Sequence, residues 1–426
     1  MSGSLVHLSA RGVQNSTVCD ADYTPFKSKI HRPSCFAMEA KKIDFGSGTV
    51  KFGGSASAAI TYNADLLTKL FLVVELNATT TDGTDGTYYN GTYPNGVSKC
   101  QFTEDIGRAM IEEVSLEIGS VTHNKFDDVY LHIKDNYEVT SDQATTELTG
   151  RTFNGGGLES NLEEMPFIPH KFYIPLPFWF CRDWHQALPL VAMHLSEARI
   201  RLKLRSKAEL IKATAGNTIT NWSGVLDLND AYLIGEYVYL NDATRHAFAK
   251  MTHWFLIKQV QAENVSVTAG KTSIKQRLSF NHMVSRLVWM MRKVDNKNAL
   301  EYYNFAGQED GSTIGAPQYD AFKTASIFLN NNQRLMDMDP LYFRVVQPRM
   351  FHTCQPREYC YSYSFCLAPE KSSPSGAINM SRIENVELKL DFTSQLTGNG
   401  YDLLIFAENF NMVSIKNGIA SLAFAS

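Results

Sequence analysis

Histidine and cysteine side chains, which are common metal ligands, are plentiful in this chain but scattered along it. None of the 11 histidines forms a His-x-His pair, and His123 and His132 are too far apart in the sequence to act as one. Cys360 and Cys366 lack a second Cys or His pair at the spacing of a tetrahedral site. We therefore predict no metal site and no cofactor, and we interpret these two cysteines as small buried residues on a strand.

Motifs that activate a nucleophile or hold a phosphate are also absent from the sequence. There is no GxSxG, and the glycines from Gly46 to Gly54 have neither GxGxxG spacing nor a following Lys-Ser/Thr. Strand-like residues flank these glycines, so we predict a hairpin turn there. The most prominent carboxylates are expected to cap helices or lie in loops: Asp127, Asp128, Asp337 and Asp339. The sequence therefore predicts no catalytic residues and a protein that is not an enzyme.

Length and composition limit the class of protein further. The 426 residues correspond to two or three domains at ~150 residues per domain. The 40 Lys and Arg against 44 Asp and Glu argue against a large basic surface that grips nucleic acid. Seven scattered cysteines indicate reduced thiols. Because the N-terminus lacks an apolar signal core and no window holds ~18 apolar residues, we expect synthesis in the cytosol.

Two polar stretches, residues 77–100 and 139–166, are predicted to be exposed loops. The first holds Tyr88, Tyr89 and Tyr93, which are candidate outward-facing aromatics. Without a secretory signal the Asn-x-Ser/Thr sequons are expected to be unused, although Asn77 and Asn90 are the best candidates if glycans exist. The sequons lie at Asn15, Asn77, Asn90, Asn221, Asn264 and Asn379.

Alternating apolar and polar residues predict half-buried antiparallel strands through most of the chain. Ile200, Leu202 and Leu204 alternate with basic residues, and residues 386–392 follow the same rule. Helical signals are few. One begins with Asn241 or Asp242 as its N-cap, and another spans residues 126–137. The sequence therefore predicts an all-β protein with short helices.

An internal repeat indicates that the chain contains two similar β domains. Residues 178–204 align with residues 363–390, so that Phe180-Cys181 matches Phe365-Cys366. Residues 228–242 then align with 401–418 in the same order. Each copy has about eight predicted strands, which fits an eight-stranded jelly roll. We therefore predict two tandem eight-stranded jelly-roll barrels, at residues 28–240 and 253–426, joined by a linker helix at 241–252.

Several longer motifs occur in one order along nearly the whole chain, from about Leu5 to Ser426. They include TPFKSKIHRPSCFAMEA, KFGGSASAAITYNADLLTKLFLVVEL, FYIPLPFWFCRDWHQALPLVAMHL, PSGAINMSRIENVELKL and NFNMVSIKNGIASLAFA. Together they resemble the major capsid proteins of nucleocytoplasmic large DNA viruses. The sequence departs from the family mainly at residues 77–110, 139–166 and 294–324, where such proteins differ from one another.

The resemblance implies a double jelly roll that trimerises into pseudo-hexagonal capsomers, which tile an icosahedral shell. It implies that loops 77–110 and 294–324, counted as joining the fourth and fifth strands of each barrel, point outward. Residues 1–27 would form an N-terminal arm at the inner base. The implied partners are further copies, minor capsid and penton proteins and an internal membrane, without direct nucleic-acid binding. The protein would be part of the virion and assemble in the host cytoplasm.

Two other classes of non-enzyme remain open from the sequence. A carbohydrate- or receptor-binding β-sandwich could stack sugars on Tyr88, Tyr89 and Tyr93, although packing of these tyrosines on a neighbouring copy is favoured. A minor or penton capsid protein is the other alternative. The two predicted barrels disfavour it, because pentons of this lineage usually carry one.

Overall fold

The computed structural model describes residues 2–10, 26, 33–46, 50–77, 100–140, 148, 170–213, 227–307, 320–356, 358–392 and 399–424. Strands dominate these residues. Those of the first half are β1 (Phe36–Asp44), β2 (Ser55–Ala59), β3 (Leu66–Asn77), β4 (Cys100–Phe102), β5 (Ile111–Ile118), β6 (Val121–Asp127), β7 (His170–Pro175), β8 (Leu188–Pro189), β9 (Ala198–Leu204), β10 (Ile211–Ala213) and β11 (Asp227–Leu240). Those of the second half are β12 (His253–Val267), β13 (Ser273–Leu278), β14 (Met283–Lys293), β15 (Phe322–Leu329), β16 (Asn332–Met338), β17 (Tyr361–Ser364), β18 (Ile378–Asn379), β19 (Val386–Phe392), β20 (Tyr401–Lys416) and β21 (Ile419–Leu422).

The same strand order occurs in both halves of the chain. The first half pairs its main strands as β1-β11-β3-β7 and β2-β9-β5-β6, and the second as β12-β20-β14-β17 and β13-β19-β15-β16. When the eight main strands of each half are counted along the chain, both halves have sheets of order 1-8-3-6 and 2-7-4-5. This is the antiparallel double-sheet arrangement of a jelly roll. The predicted all-β fold of two tandem eight-stranded jelly-roll barrels is therefore confirmed.

The repeat found in the sequence corresponds to equivalent strands of the two barrels. β9 and β19 are each the seventh main strand, and their inward residues alternate with more exposed ones as predicted. β11 and β20 are each the eighth main strand and lie between the first and third in their sheets. The domain limits of 28–240 and 253–426 stay a prediction.

Short helices lie at the ends and connections of the strands, as expected. They are α1 (Gly3–Ser9), α2 (Ile106–Ala109), α3 (Asp128–Glu138), α4 (Asp242–Lys250), α5 (Val294–Asn298) and α6 (Gln347–Phe351), the last preceded by a π-helical turn at Tyr342–Val346. The Asp127 carboxylate caps α3 by accepting the Tyr130 N–H, and the Asn241 side chain caps α4 by accepting the Thr244 N–H. The helix expected after Asn241 therefore begins where predicted, whereas the one expected at 126–137 begins only at Asp128, because Phe126 and Asp127 are the last residues of β6.

Two expectations about connections are wrong. Gly46 and Gly54 do not belong to a hairpin turn, because β1 pairs with β11 and β2 pairs with β9 in the opposite sheet. The segments 77–110 and 294–324 follow the third main strand of each barrel and precede the fourth, rather than joining the fourth and fifth. In the second of these segments Tyr302, Tyr303 and Phe305 are buried against the first barrel, so this part does not project outward.

The hydrophobic core extends across both barrels. One apolar cluster fills the first barrel and also includes Val288, Met290, Leu404 and Phe406 of the second. Their neighbours on the same strands, such as Trp289, face inward into the second barrel's own cluster. The sheet β12-β20-β14-β17 is therefore buried on both faces, which explains why β14 and most of β20 lack an exposed side.

Candidate functional site

One of the two histidines singled out from the sequence, His123, is engaged in local structure. His123 is buried on β6, where its Nδ1 lies 2.9 Å from the Val121 carbonyl oxygen, and burial lowers its pKa. No group of three or more His, Cys, Asp or Glu side chains among the described residues is arranged to hold a metal ion. The feature with concentrated charge and burial is instead the contact between the barrels. We call it the barrel seam: β6 and α3 of the first barrel against the outer face of the sheet β12-β20-β14-β17, with residues 302–306 and 352–370.

At the edge of the seam, side-chain amides bond to the backbone of the opposite strand. The Asn124 Nδ2 on β6 donates to the Lys258 carbonyl oxygen at 2.7 Å, and the Gln259 Nε2 on β12 donates to the His123 carbonyl oxygen at 2.8 Å. These bonds satisfy backbone groups at the edge of a sheet, which would otherwise be open to another chain. β6 and β12 are thereby fixed beside each other.

Aromatic side chains fill the apolar part of the seam. The ring of Tyr130 on α3 lies 5.8 Å from that of Phe406 on β20, and the ring of Trp179 lies 4.9 Å from that of Phe255 on β12. Tilted pairs at these distances contribute about 0.5–1.5 kcal/mol beyond the area that they bury. The two barrels are therefore joined by a packed core.

A buried network of charges surrounds Arg286, which projects from β14 into the seam. Its guanidinium contacts the Glu408 carboxylate of its own sheet and lies 3.3 Å from Glu138 Oε1 of α3. The Tyr130 hydroxyl donates to Glu408 Oε1 at 2.6 Å. Two further cations lie beside Glu138: its Oε2 is 2.5 Å from Lys134 Nζ and 2.9 Å from Arg182 Nη2. Removing one member of such a network leaves a buried charge uncompensated.

The ionisation of these groups follows from their neighbours. Burial opposes ionisation of Glu138, yet Lys134, Arg182 and Arg286 hold the pKa of that carboxyl well below its usual range. Burial likewise opposes ionisation of Glu408, and Arg286 with Lys258 lowers its pKa to about 2. Burial lowers the pKa of Lys258 itself to about 7. Both carboxylates are therefore charged at neutral pH.

His132 on α3 forms a second charged contact across the seam, which we call the His132 clamp. Its Nδ1 lies 2.7 Å from Asp105 Oδ2 and its Nε2 lies 2.7 Å from Glu358 Oε2, while its ring stacks on Tyr303 at 3.8 Å. Burial alone would lower the pKa of His132, but the carboxylates of Glu358 and Asp105 raise it to about 10. The clamp is therefore an imidazolium between two carboxylates, and neither ring nitrogen is available to a metal.

A third contact surrounds the segment that follows α5. Asp128 at the start of α3 pairs with Arg205 at 2.9 Å, and the Arg205 guanidinium lies 4.2 Å from the centre of the Tyr302 ring. The Tyr303 hydroxyl lies 3.5 Å from Asp128 Oδ2. Residues 302–306 of the second barrel are thus anchored in the first by charge and by aromatic stacking.

The structure places the residues singled out from the sequence as follows. Cys360 and Cys366 are buried as predicted, although they flank β17 rather than lie on it. The Asp127 cap is confirmed. Asn77 ends β3, Asn264 lies on β12 and Asn379 on β18. The remaining positions lie outside the described residues: Tyr88, Tyr89, Asn90 and Tyr93, with Asn15 and Asn221.

The residues of the seam were missed by sequence reasoning. Their one visible signal is a charge inside an otherwise apolar strand, as at Arg286 in MVSRLVWMM and Glu408 in LLIFAENF. A charged residue at such a position is almost never fully buried without a partner. That signal indicates a buried ion pair, but it does not name the partner on α3.

None of the described helices combines the length and the apolar character needed to cross a membrane.

Two jelly rolls of identical strand order, packed side by side through a buried seam, define a double jelly-roll protein. Residues 24–241 match the family model described as "Major capsid protein N-terminus", and residues 244–421 match "Large eukaryotic DNA virus major capsid protein". The chain belongs to this family of viral major capsid proteins. It is a structural protein of the virion shell.

Individual relatives agree with the family match. The chain is 28% identical to the major capsid protein of Pyramimonas orientalis virus and 27% identical to that of Paramecium bursaria Chlorella virus 1, with all of each chain covered. A solved structure of the PBCV-1 virus capsid matches with a TM-score of 0.76 at 25% identity, covering 95% of this chain and 100% of that one. The Faustovirus major capsid protein shares the fold, with a TM-score of 0.73 at 12% identity, over 93% of each chain.

Proposed function

We propose that three copies of this chain assemble into a pseudo-hexagonal capsomer, and that capsomers tile the icosahedral shell of a large double-stranded DNA virus. The observation that carries the proposal is that each chain holds two barrels of the same strand order in fixed contact. Three such chains supply six similar barrels. A ring of six similar units fits a hexagonal lattice although it is built from a trimer.

The barrel seam supports this proposal because a capsomer needs the two barrels of each chain at a constant spacing. Its core is continuous, and its charged groups are paired across the two halves. A flexible linker alone would leave the relative position of the barrels undefined. The seam therefore acts as the rigid element of the building block.

The other parts of the proposed function concern the surroundings of the capsomer. We propose lateral contacts between capsomers, contacts with minor capsid and penton proteins, an internal membrane beneath the shell and assembly in the host cytoplasm. We propose no enzymatic activity and no direct contact with nucleic acid, in keeping with a formal charge of −4. Residues 1–27 would form the inner arm. Tyr88, Tyr89 and Tyr93 would lie at the outer surface, where Asn77 and Asn90 would be the positions for any glycan.

Sedimentation of the purified chain, combined with negative-stain imaging, tests the assembly. We expect a species of three times the chain mass of 47.8 kDa, seen as hexagonal rings with three-fold symmetry. A stable monomer over the whole accessible concentration range would overturn the proposal.

A further inference from the structure

The eighth main strand of the second barrel extends beyond its neighbour in the sheet. β14 pairs with β20 only as far as Met283 with Phe410, whereas β12 pairs with it as far as His253 with Ile415. Beyond the end of β14, β20 pairs on that side with β21, which returns along Val413–Lys416. In the first barrel the equivalent strand, β11, is followed by α4 instead. The hairpin of β20 and β21 is therefore a feature of the second barrel, and we call residues 413–422 the clasp hairpin.

A two-residue turn forms the tip of the clasp hairpin. Only Asn417 and Gly418 lie between β20 and β21, and their φ angles are +53° and +83°. Turns with a positive φ at both positions match the twist of a hairpin, and Asn-Gly is a preferred pair in them. The local sequence therefore encodes the hairpin, while packing decides what it contacts.

The clasp hairpin belongs to the second barrel by strand pairing but to the first barrel by packing. Val413 and Ile415 are fully buried and Ala420 is 8% exposed, and all three belong to the apolar cluster that fills the first barrel. Leu422 packs against the same cluster. The separate cluster of described residues inside the second barrel contains none of these four. This face of the hairpin is therefore buried only because the two barrels meet.

Polar contacts fix the tip of the clasp hairpin on one turn of the first barrel. The Leu195 N–H donates to the Gly418 carbonyl oxygen at 3.1 Å, and the Ala420 N–H donates to Ser196 Oγ at 3.1 Å. The His194 ring lies over the buried Gly418, where a Cβ would be 2.6 Å from His194 Cε1. A side chain at this position would collide with the ring, so the contact requires glycine.

The turn that receives the tip is anchored in its own barrel. It spans residues 193–196, of which Met193 and Ser196 are buried. The Tyr62 hydroxyl contacts the carbonyl oxygens of both. β9 begins two residues later, at Ala198. Engagement of the hairpin therefore fastens the second barrel to a well-held part of the first.

The clasp hairpin lies away from the charged network of the barrel seam. Ile415 is seven residues beyond Glu408 on β20, which corresponds to ~23 Å at ~3.3 Å per residue. Two packed units joined at one place can rotate about it, and relative motion is the default when the contact between domains is small. Two attachments at this separation remove that freedom.

We propose that the clasp hairpin sets the angle between the two barrels, and that a chain enters a capsomer only while the hairpin is engaged. This inference rests on the proposed trimer, since a three-fold ring closes only when the barrels of every chain keep the same relative orientation. The charged network of the seam holds the barrels together, and the clasp hairpin orients them. Gly418, Ala420 and Ser196 are thus positioning residues for assembly.

Gly418→Leu and a matched control test the proposal in the full chain. Gly418→Leu drives a side chain into the His194 ring and disengages the tip. Gly119→Leu is the control, because Gly119 lies in the turn between β5 and β6 with a φ of +65°, and a Cβ there would meet nothing within 4 Å. The two substitutions share the strain of a side chain at positive φ. Adding His194→Ala to Gly418→Leu removes the exposed ring that causes the collision.

Hydrogen exchange at the Leu195 and Ala420 amides measures engagement of the hairpin, and sedimentation with negative-stain imaging measures assembly. In the wild type we expect both amides to be protected and the chain to be trimeric. Gly418→Leu is expected to lose this protection and to sediment at the monomer mass, while the amides of β9 and β14 stay protected. Gly119→Leu is expected to keep the protection and the trimer. His194→Ala is expected to restore both to Gly418→Leu.

The contrary results are equally specific. A Gly418→Leu chain that loses protection at both amides yet still forms three-fold rings would overturn the proposal while leaving the capsomer intact. Equal effects of Gly418→Leu and Gly119→Leu, or no recovery with His194→Ala, would also overturn it. A wild-type chain that is monomeric although both amides are protected would instead overturn the proposed trimer.

A second variant covers the case in which Gly418→Leu does not fold. Ala420→Asp places a charge in the buried face of the clasp hairpin and is expected to give the same loss of protection and of the trimer. Misfolding of both variants would show that the hairpin is needed to fold the barrels rather than to orient them, which would overturn the proposal.

Discussion

His132 and Glu358 meet across the two barrels: the imidazole Nε2 lies 2.7 Å from Glu358 Oε2, although 226 residues separate the two in the chain. The opposite ring nitrogen is held by Asp105 at the same distance. One side chain on α3 therefore connects a loop of its own barrel to a loop of the other. The seam that contains this contact gives the chain its fixed two-barrel form.

Replacing His132 by Ala should strongly destabilise the protein. The substitution removes the imidazolium that lies between two carboxylates, and breaking a buried ion pair in this way costs about 3–5 kcal/mol of the free energy of unfolding. Urea denaturation measures the change. Lys203→Ala is the control: it removes an exposed pair with Glu112 and should cost about 1 kcal/mol or less. Equal, small losses for both variants would contradict the assigned role of the clamp.

The alkaline stability profile should depend on two groups of opposite sign. The pKa of His132 is about 10 in the fold and ~6.5 in the unfolded chain. Its contribution to the free energy of unfolding is therefore fully present below the unfolded-state pKa and is lost as pH rises through the folded-state pKa. The pKa of Lys258 is about 7 in the fold and ~10.4 in the unfolded chain, so the unfolded state binds more protons and stability rises over this interval.

In the wild type, the loss of stability with rising pH that His132 causes and the gain that Lys258 causes largely cancel between about pH 7 and 10. His132→Asn should therefore become more stable as pH rises in that interval, because only the Lys258 contribution remains. Lys258→Met should become less stable over the same interval. Guanidinium midpoints measured at several pH values test this, and parallel profiles for the two variants would be the contrary result.

Arg286→Met should weaken the coupling between the barrels as well as the total stability. It removes the cation between Glu138 and Glu408, with an expected loss of about 3–5 kcal/mol. Because the seam core is shared, the wild type should unfold in one calorimetric transition, whereas the variant should show two. Arg286→Met combined with Glu408→Leu should recover part of the loss, since one buried carboxylate is then removed. A single unshifted transition in Arg286→Met would rule out this role.

Gly400→Ala should destabilise the second barrel more than Gly270→Ala. Both glycines have a positive φ, +93° and +83°, so each substitution carries a backbone strain of about 1 kcal/mol. A Cβ on Gly400 would also lie 2.6 Å from the Val267 carbonyl oxygen, whereas one on Gly270 would meet nothing within 4 Å. Thermal unfolding of the two variants should therefore differ by more than the strain that they share. Similar shifts would show that the backbone at Val267 moves aside.

The elements predicted correctly from the sequence are those whose signal is local. Alternation in Ile200–Leu204 determines which side of β9 is buried, and Asp127 and Asn241 determine where α3 and α4 begin. The repeat at Phe180-Cys181 and Phe365-Cys366 shows that one barrel is followed by another, because similar sequences form similar strands. The expected hairpin at Gly46 failed since a turn-rich segment does not reveal which sheet its two strands join.

The amino-acid sequence by itself determined the all-β fold, the two barrels and the family, because these depend on periodicity, caps and motifs that neighbouring residues carry. Only the tertiary structure decided the pairing of Glu138 with Arg286 and of His132 with Glu358, over separations of 148 and 226 residues. It also decided that the sheet β12-β20-β14-β17 is buried on both faces. Such contacts depend on how two complete barrels pack, and no local pattern of residues encodes the position of one barrel against the other.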